Sequence, residues 1–272
     1  MSNKAVLMSV YFKDEPLHVK LALDSMLYQS VPLDILVYVD GVVPDKLRRL
    51  LALYESEYNI TVFFNEKNVG LAKALNFLVE YSLSLDYEFL IRMDSDDISR
   101  LDRVEKQLNF FTQNPEVSVV GAGCREFGSS FSLSKKILPQ EHSALKKMSI
   151  THCPFVHPTV VFRKEVFELG LRYPVDTAFT EDMALWFKLL KADLKFGNVP
   201  EVLLDYRMTE STVKRRQGWA KGYSEYKLRL KYMLILDSFS FRNFALIFAR
   251  LLFHIVPAPI MKLIYRRRKF VA

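Results

Sequence analysis

Phe89-Leu90-Ile91-Arg92-Met93-Asp94-Ser95-Asp96-Asp97 decides how the chain is read. A short apolar run that stops abruptly in three carboxylates is the pattern of a buried strand whose carboxyl end is acidic. In open α/β sheets ligands sit beyond the carboxyl ends of the strands, so acids at that place are candidates for chemistry. A second acid sits the same way, with Asp40 directly after Ile35-Leu36-Val37-Tyr38-Val39. If the two strands are parallel neighbours, both carboxylates point into one crevice. Further candidate strands are Val6–Tyr11, Ile60–Phe64, Val117–Cys124, Thr159–Phe162 and Val199–Tyr206. Helical patterns alternate with them: Pro16 suits the first turn of a helix reaching about Tyr28, and Leu71, Ala74, Leu75 and Leu78 mark one apolar face, as do Leu101, Val104, Leu108 and Phe111. Alternation of this kind predicts an α/β fold, a mostly parallel sheet covered by helices.

The chain has 272 residues, half of them hydrophobic, enough for one sizeable core and a small appendage. Only two cysteines occur, Cys124 and Cys153. They form neither a zinc spacing nor a disulfide framework and suit a reducing compartment. Val6-Leu7-Met8-Ser9-Val10 follows the N-terminus without the pattern of a signal peptide, so a cytoplasmic location is expected. The formal charge of +7 favours an anionic partner. It is concentrated in the last quarter, in Lys214-Arg215-Arg216, Lys221, Lys227, Arg229, Lys231 and Arg266-Arg267-Arg268-Lys269.

Two regions are therefore expected, a catalytic domain over 1–215 and a basic, aromatic helical region over 216–272. The most apolar stretch of the second, Phe244–Val256, is short of the roughly 20 apolar residues of a bilayer span and is broken by Arg250 and His254, then followed by Pro257, Pro259 and Lys262. An amphipathic helix lying on an anionic lipid surface is favoured, with the terminal Arg-Arg-Arg-Lys cluster adding attraction. The plainer alternative is a helical hairpin packed on the catalytic domain.

Asp94-Ser95-Asp96-Asp97 carries the sharpest chemical signal. A hard divalent cation bridging the oxygens of a nucleotide diphosphate needs one or two carboxylates, and an acidic turn supplies them. One carboxylate would suffice to cap the helix before Leu101. Three in four residues repel one another unless a cation or solvent relieves them. Asn68-Val69-Gly70-Leu71-Ala72-Lys73 opens a helix whose N-terminus, with Lys73, can attract an anion. Thr180-Glu181-Asp182 starts another helix whose buried side is Leu185, Trp186 and Leu189. Its acids either complement the helix dipole or supply a base, and Asp182 is the candidate base. Arg207, after a further strand, can offer a planar donor fork to phosphate. His152-Cys153-Pro154-Phe155-Val156-His157-Pro158 closes no metal set and is expected to be a positioning loop.

In this order the segments resemble the family 2 glycosyltransferases of the GT-A (Rossmann-like) fold, of the type found in bacterial O-antigen and exopolysaccharide assembly. The resemblance runs from about Val6 to Ser211 and rests on Leu7-Met8-Ser9-Val10-Tyr11, Asp40, Asn68–Asn76, Arg92–Asp97, His157-Pro158-Thr159-Val160, Glu181-Asp182 with Trp186, and Tyr206-Arg207. It implies an inverting enzyme moving a hexose from a UDP-sugar, UDP-galactose or UDP-glucose, with Mn²⁺ or Mg²⁺. The product is a β-linkage, for instance β-1,3 to GlcNAc or GalNAc carried on undecaprenyl diphosphate at the cytoplasmic face of the inner membrane.

By the same resemblance Asp40 would bind uracil, Tyr11 would lie against the nucleoside and Lys73 near base or phosphates. Asp94 would contact ribose or sugar and share the metal with its principal ligand Asp96, and Asp97 would orient the donor sugar. Asp182 would be the general base, Glu181 would help bind the acceptor, and Arg207 would approach the diphosphate. The sequence departs from the pattern twice: Gly41-Val42-Val43-Pro44 replaces a second acid and small polar residue, and Thr209 stands where relatives often have histidine.

Competing readings are weaker. A sugar nucleotidyltransferase would show a glycine-rich loop after the first strand, where Val10-Tyr11-Phe12-Lys13-Asp14 has none, and a dehydrogenase would show G-x-G-x-x-G. A catalytically silent nucleotide-sugar-binding module would keep the fold without turnover. An acidic crevice is a poor place for a nucleic-acid backbone, so no nucleic acid is expected.

Overall fold

The computed structural model describes residues 2–130, 132–177, 179–209, 212, 218–254 and 256. Four parallel strands form one half of its sheet: β1 (Lys4–Tyr11), β2 (Asp34–Asp40), β3 (Ile60–Asn65) and β4 (Phe89–Asp94). Beyond β4 lie β5 (Ile98–Ser99), β6 (Val117–Phe127), β7 (Val161–Arg163) and β8 (Lys195–Arg207), giving the order β3-β2-β1-β4-β7-β6-β8-β5. β7 runs antiparallel to both β4 and β6, and β5 antiparallel to β8, so the sheet is mixed but mostly parallel.

The alternation of side chains along β1 explains why both faces are covered. Val6, Met8 and Val10 face α1 (Pro16–Leu27), α2 (Asp45–Glu57) and α4 (Arg103–Gln113), while Ala5 and Leu7 face α3 (Leu71–Leu83) and α7 (Glu181–Lys191). Two cores result, one on each face. The shorter helices α5 (His142–Ser149) and α6 (Glu165–Glu168) lie at the margin of the second.

Three expectations are corrected. The strands ending in Asp40 and Asp94 are not neighbours, because β1 lies between them. Thr159 does not begin a strand. It ends a 3₁₀ turn, His157–Thr159, where its hydroxyl accepts the amide of Ala122 (3.0 Å) and donates to the carbonyl of Val156 (2.7 Å), leaving only Val161–Arg163 to pair. Leu101 is exposed and precedes α4, whose fully buried stripe is Arg103, Val104, Gln107 and Phe111. Two polar residues survive burial there because Arg103 donates to the carbonyl of Arg92 (2.7 Å) and Gln107 to those of Val120 (3.0 Å) and Thr159 (2.7 Å).

After β8 the chain forms a helical hairpin, α8 (Trp219–Ile235) and α9 (Phe241–Phe253). Ile150, Met183, Phe187, Tyr232, Met233 and Ile247 make a third, smaller core that packs the hairpin on α7 and the end of α5. A buried ionic cluster adds to it. Glu225 takes Arg229 (2.7 Å), Arg250 (2.7 Å) and His254 (3.0 Å), and Arg229 also donates to the carbonyls of Ser149 and Ile150. The hairpin is therefore packed on the domain, as the plainer alternative held, yet α9 leaves Phe241, Phe244, Phe248 and Leu252 exposed along one face. Among the described residues no helix is long and apolar enough to cross a membrane. The boundary at 215/216, Lys214-Arg215-Arg216 and Arg266-Arg267-Arg268-Lys269 lie outside the described residues.

Candidate active site

At the carboxyl end of β4 the chain turns so that one carboxylate oxygen from each of Asp94, Asp96 and Asp97 lies within 4.8 Å of the others. None of Asp96, Asp97 or Ser99 caps a helix, since α4 starts only at Arg103 with Asp102 before it. Asp97 is fully buried. Its Oδ1 accepts the backbone N–H of Arg207 (2.7 Å) while its Oδ2 has no hydrogen-bond partner among the described residues. An orphaned buried carboxylate oxygen beside two more carboxylates is a strong mismatch for solvent-free protein and a good match for a hard cation. Burial first, then the charges of Asp94 and Asp96, push the Asp97 carboxyl well above its ordinary range. A divalent cation would relieve both. The donor set, all oxygen, fits Mn²⁺ or Mg²⁺.

Neighbouring groups fix this turn. Arg92, buried in β4, pairs with Asp94 and donates to the carbonyl of Met93. At the end of β8, Arg207 donates from Nε to the carbonyl of Asp96 (2.7 Å), and its guanidinium lies over the Phe127 ring at 4.5 Å. Arg207 therefore stands at the acidic turn where the resemblance puts a diphosphate contact. From the loop after β1, Asp14 Oδ2 accepts the N–H of Tyr11 (3.0 Å) and the hydroxyl of Ser95 (2.8 Å), joining Tyr11 to the same turn. Burial, then the nearby acids, raise Asp14 to about 7 against the effect of its two donors. Asp14 and Ser95 were missed from sequence: Asp14 stands three residues past the end of β1 rather than directly after it, and only its bonds to Tyr11 and Ser95 place it at the turn.

Asp40 is placed differently. Its two carboxylate oxygens accept the amides of Val69 (2.6 Å) and Gly70 (2.9 Å), clamping the loop that opens α3. Gly41 completes that clamp at φ +94°, and a side chain there would come within 3.1 Å of the Asn68 backbone nitrogen. Lys73 is exposed in the first turn of α3.

Glu181 and Asp182 open α7, and both are partly buried. Asp182 accepts the amide of Met183 (2.7 Å). Burial raises its carboxyl above the ordinary range, opposed by that amide and by the charge of Lys221 on α8. Burial and the charge of Asp182 raise Glu181, while Lys221 and Arg92 oppose it. Thr180 does not cap α7 with its hydroxyl, which pairs instead with the hydroxyl of Ser224 on α8 (3.0 Å). Tyr173 is buried and bonded to His157 Nε2 at 3.1 Å, and burial first of all raises its hydroxyl. His157 is kept neutral by burial and by Arg92. The segment around His157 packs against α7, with Phe155, His157 and Phe162 around Trp186. Chemically the site offers an acidic turn whose oxygens could hold a cation, and at the start of α7 a carboxyl, Asp182, raised above its ordinary range by burial.

Comparison with known proteins gives this arrangement a family. The model of glycosyl transferase family 2 matches residues 6–170. The chain is 34% identical over 275 residues to the UDP-Gal:alpha-D-GlcNAc-diphosphoundecaprenol beta-1,3-galactosyltransferase of Escherichia coli, covering 98% of this chain and 97% of that protein. It is 31% identical to the amylovoran biosynthesis glycosyltransferase AmsE of Erwinia amylovora, covering 97% and 98%. In fold it is similar to the mannosyltransferase PcManGT of Pyrobaculum calidifontis, solved with GDP-Man and Mn²⁺ (TM-score 0.64, 16% identity, covering 99% of this chain and 74% of that one). The S. aureus protein TarS, residues 1–349 with UDP, is also similar (TM-score 0.62, 16% identity, covering 87% and 72%).

Proposed function

Starting from a chain that belongs to glycosyl transferase family 2, has the GT-A fold and is a glycosyltransferase, we propose that it moves a hexose from a UDP-sugar to a sugar on a lipid diphosphate, with inversion. UDP-galactose is the preferred donor over UDP-glucose, and the product is a β-1,3 linkage to GlcNAc or GalNAc on undecaprenyl diphosphate. The naming of the Escherichia coli relative, matched along nearly its whole length, supports this choice. The reaction belongs to assembly of O-antigen or another surface polysaccharide, as the names of the bacterial relatives support.

The observation that carries the proposal is the Asp94-Asp96-Asp97 cluster at the end of β4, in which the buried Oδ2 of Asp97 has no hydrogen-bond partner among the described residues. Asp96, with Asp94, would hold Mn²⁺ or Mg²⁺, which when bound supplies positive charge against the nucleotide diphosphate. Asp97 orients the donor sugar from the buried side of the turn. Arg207 brings a permanent cation beside Asp96 for the phosphates, and Tyr11, held by Asp14, lines the nucleoside side with Asp40 and Lys73 behind it. Asp182 removes the proton of the acceptor hydroxyl as the oxygen attacks the sugar carbon opposite the leaving UDP, and Glu181 holds the acceptor. One displacement by one base inverts the α-linked donor to a β-linked product.

The acceptor lipid places the enzyme at the cytoplasmic face of the inner membrane. The exposed Phe241, Phe244, Phe248 and Leu252 face of α9 would enter the interface, with the basic C-terminal residues on anionic lipid. The testing experiment offers a panel of nucleotide sugars to GlcNAc-diphosphate-lipid, with Mn²⁺ or with chelator, to the native enzyme and to Asp96→Ala and Asp182→Asn. Metal-dependent product from UDP-galactose, lost in both variants, is the expected result. Nucleotide binding without product from any donor would refute the acceptor, and no binding of UDP would refute the donor.

A further inference from the structure

The acidic turn after β4 is anchored from two strands. Asp97 Oδ1 accepts the backbone N–H of Arg207 (2.7 Å), Arg207 Nε donates to the carbonyl of Asp96 (2.7 Å), and Arg92 within β4 pairs with Asp94. The loop after β1 is built differently. Its tip, Phe12 and Lys13, is exposed, and the amide of Asp14 closes it on the carbonyl of Tyr11 (3.0 Å).

One oxygen joins the loop to the turn. Asp14 Oδ2 accepts both the N–H of Tyr11 (3.0 Å) and the hydroxyl of Ser95 (2.8 Å), a residue that stands 81 positions away and between Asp94 and Asp96. Ser95 is buried and Asp14 partly so, which shields the two bonds from competing water. Two donors that converge on one acceptor atom fix the spacing between the segments that carry them. Here those segments are the Tyr11 loop and the acidic turn.

Under the function proposed above, the loop meets the nucleoside and the turn holds the cation that meets the diphosphate. Base and phosphates of a nucleotide belong to one covalent frame. Binding at both walls is therefore fully realised only when their spacing is set beforehand to that frame.

We propose that Asp14 is a positioning residue for the nucleotide donor, which through Ser95 sets the Tyr11 wall against the cation-binding turn. This rests on the donor class proposed above. Asp14 acts here as a hydrogen-bond acceptor and not as a charge, so an amide oxygen in the same place, with its two lone pairs, can take both donors.

The test uses the full chain with Asp14→Ala, Asp14→Asn, Ser95→Ala, or the two alanine changes together. The first readout is binding of uridine, followed by NMR titration in chelator. Uridine has no phosphate, so neither the diphosphate nor a cation contributes. Its affinity is expected to fall roughly threefold to tenfold in Asp14→Ala and in Ser95→Ala, the worth of one hydrogen bond. The double variant should lose no more than either alone, because both changes break one path, and Asp14→Asn should recover most of the loss. The second readout is the split between KM and kcat for UDP-galactose: loss of the strut raises KM, whereas partial misfolding lowers kcat by the inactive fraction and leaves KM and uridine affinity native. Uridine affinity unchanged by Ser95→Ala overturns the proposal, and so does Asp14→Asn binding as weakly as Asp14→Ala. If the native chain binds guanosine in place of uridine, the donor reading falls while the strut stands or falls on the same variants titrated with guanosine. A native chain that binds no nucleoside overturns both.

Discussion

Replacing Glu225 by glutamine tests how the hairpin is held. Glu225 is 6% exposed and pairs with Arg229, which is wholly buried, with Arg250, and with His254. Removing one partner of a buried ion pair costs roughly 3–5 kcal/mol, since a charge is left uncompensated. Here Arg229 keeps its bonds to the carbonyls of Ser149 (2.9 Å) and Ile150 (2.8 Å), and the amide keeps an acceptor, so the low end applies. Arg250 is more than a third exposed and adds only about 0.5 kcal/mol. The sum is about 3.5 kcal/mol, or about two and a half powers of ten in the equilibrium for opening the hairpin. Hydrogen exchange reads this element by element: amides of α8 should exchange roughly three hundredfold faster, while β1, β2 and β4 keep their protection. Unchanged α8 exchange, or an equal loss throughout the sheet, would refute the assignment of this cluster as a local fastening.

The same cluster has a pH signature. Burial alone would raise the Glu225 carboxyl, but the His254 hydrogen bond and the charges of Arg229 and Arg250 outweigh it and hold it far below the carboxylate range. A depressed folded value means that the stabilisation is fully present above the unfolded value of about 4.3 and is lost only as pH falls toward the folded one. Protection of α8, corrected for intrinsic exchange, should therefore be equal at pH 7 and pH 5 and decline in stronger acid.

Other outcomes follow from the crevice and the exposed face. Asp182→Asn should lower kcat by about 10²–10⁴, the usual worth of a general base, while calorimetry finds UDP binding with metal intact. Because burial raises Asp182 and the base works deprotonated, the acid limb of the pH–kcat profile should lie above the ordinary Asp value; Lys221→Met removes a cation that lowers it and should move that limb to higher pH. Asp96→Ala should abolish the gain in UDP affinity on adding Mn²⁺, measured by titration with and without chelator. Phe244→Asp with Phe248→Asp should weaken binding to phosphatidylglycerol vesicles at least tenfold, since each buried phenyl group contributes about 1.5–3 kcal/mol, and should leave transfer to a short-chain acceptor in detergent near the native rate.

What was legible in the sequence follows the range of the forces involved. The parallel half of the sheet was readable because β1, β2 and β4 are continuous apolar runs, and their buried state needs no knowledge of the rest of the chain. The acidic turn was readable for the same reason, as carboxylates at the end of such a run have few other uses. Long-range polar satisfaction was not. Arg103 and Gln107 occupy the buried stripe of α4 because carbonyls from β4, β6 and the 3₁₀ turn await them, and nothing within α4 announces those partners. Leu101 was given a buried place on periodicity alone, yet it precedes the helix and is 62% exposed. Thr159 was read as strand because it opens the β-branched run Thr159-Val160-Val161, whereas its hydroxyl bonds to Ala122 and Val156 hold it in the 3₁₀ turn. Order within the sheet was equally hidden: that β1 divides the strands of Asp40 and Asp94 depends on crossovers no local pattern encodes. The basic last quarter was read as a block of charge, whereas Arg229 is wholly buried and Lys227 and Lys231 line a groove.

α7 is where these separate findings become one device. Its first turn offers Glu181 and Asp182 to the crevice, Leu185, Trp186 and Leu189 fill the core under β4 and β7, and Met183 and Phe187 pack against the hairpin. A single helix therefore has three faces with three partners, and its rotation cannot adjust to one without disturbing the others. Asp182 is consequently positioned by the hairpin as well as by the sheet: Ser224 holds Thr180 at the N-cap and Tyr232 stacks on Phe187 two turns later. If the exposed face of α9 sits on a lipid surface, the distance from that surface to Asp182 is then set by rigid packing rather than by a linker. That is the condition an enzyme acting on a sugar one diphosphate above the membrane has to meet. It also explains why, on the proposed function, a loosened hairpin, as in Glu225→Gln, should raise the KM for the lipid-linked acceptor while leaving the affinity for UDP at its native value.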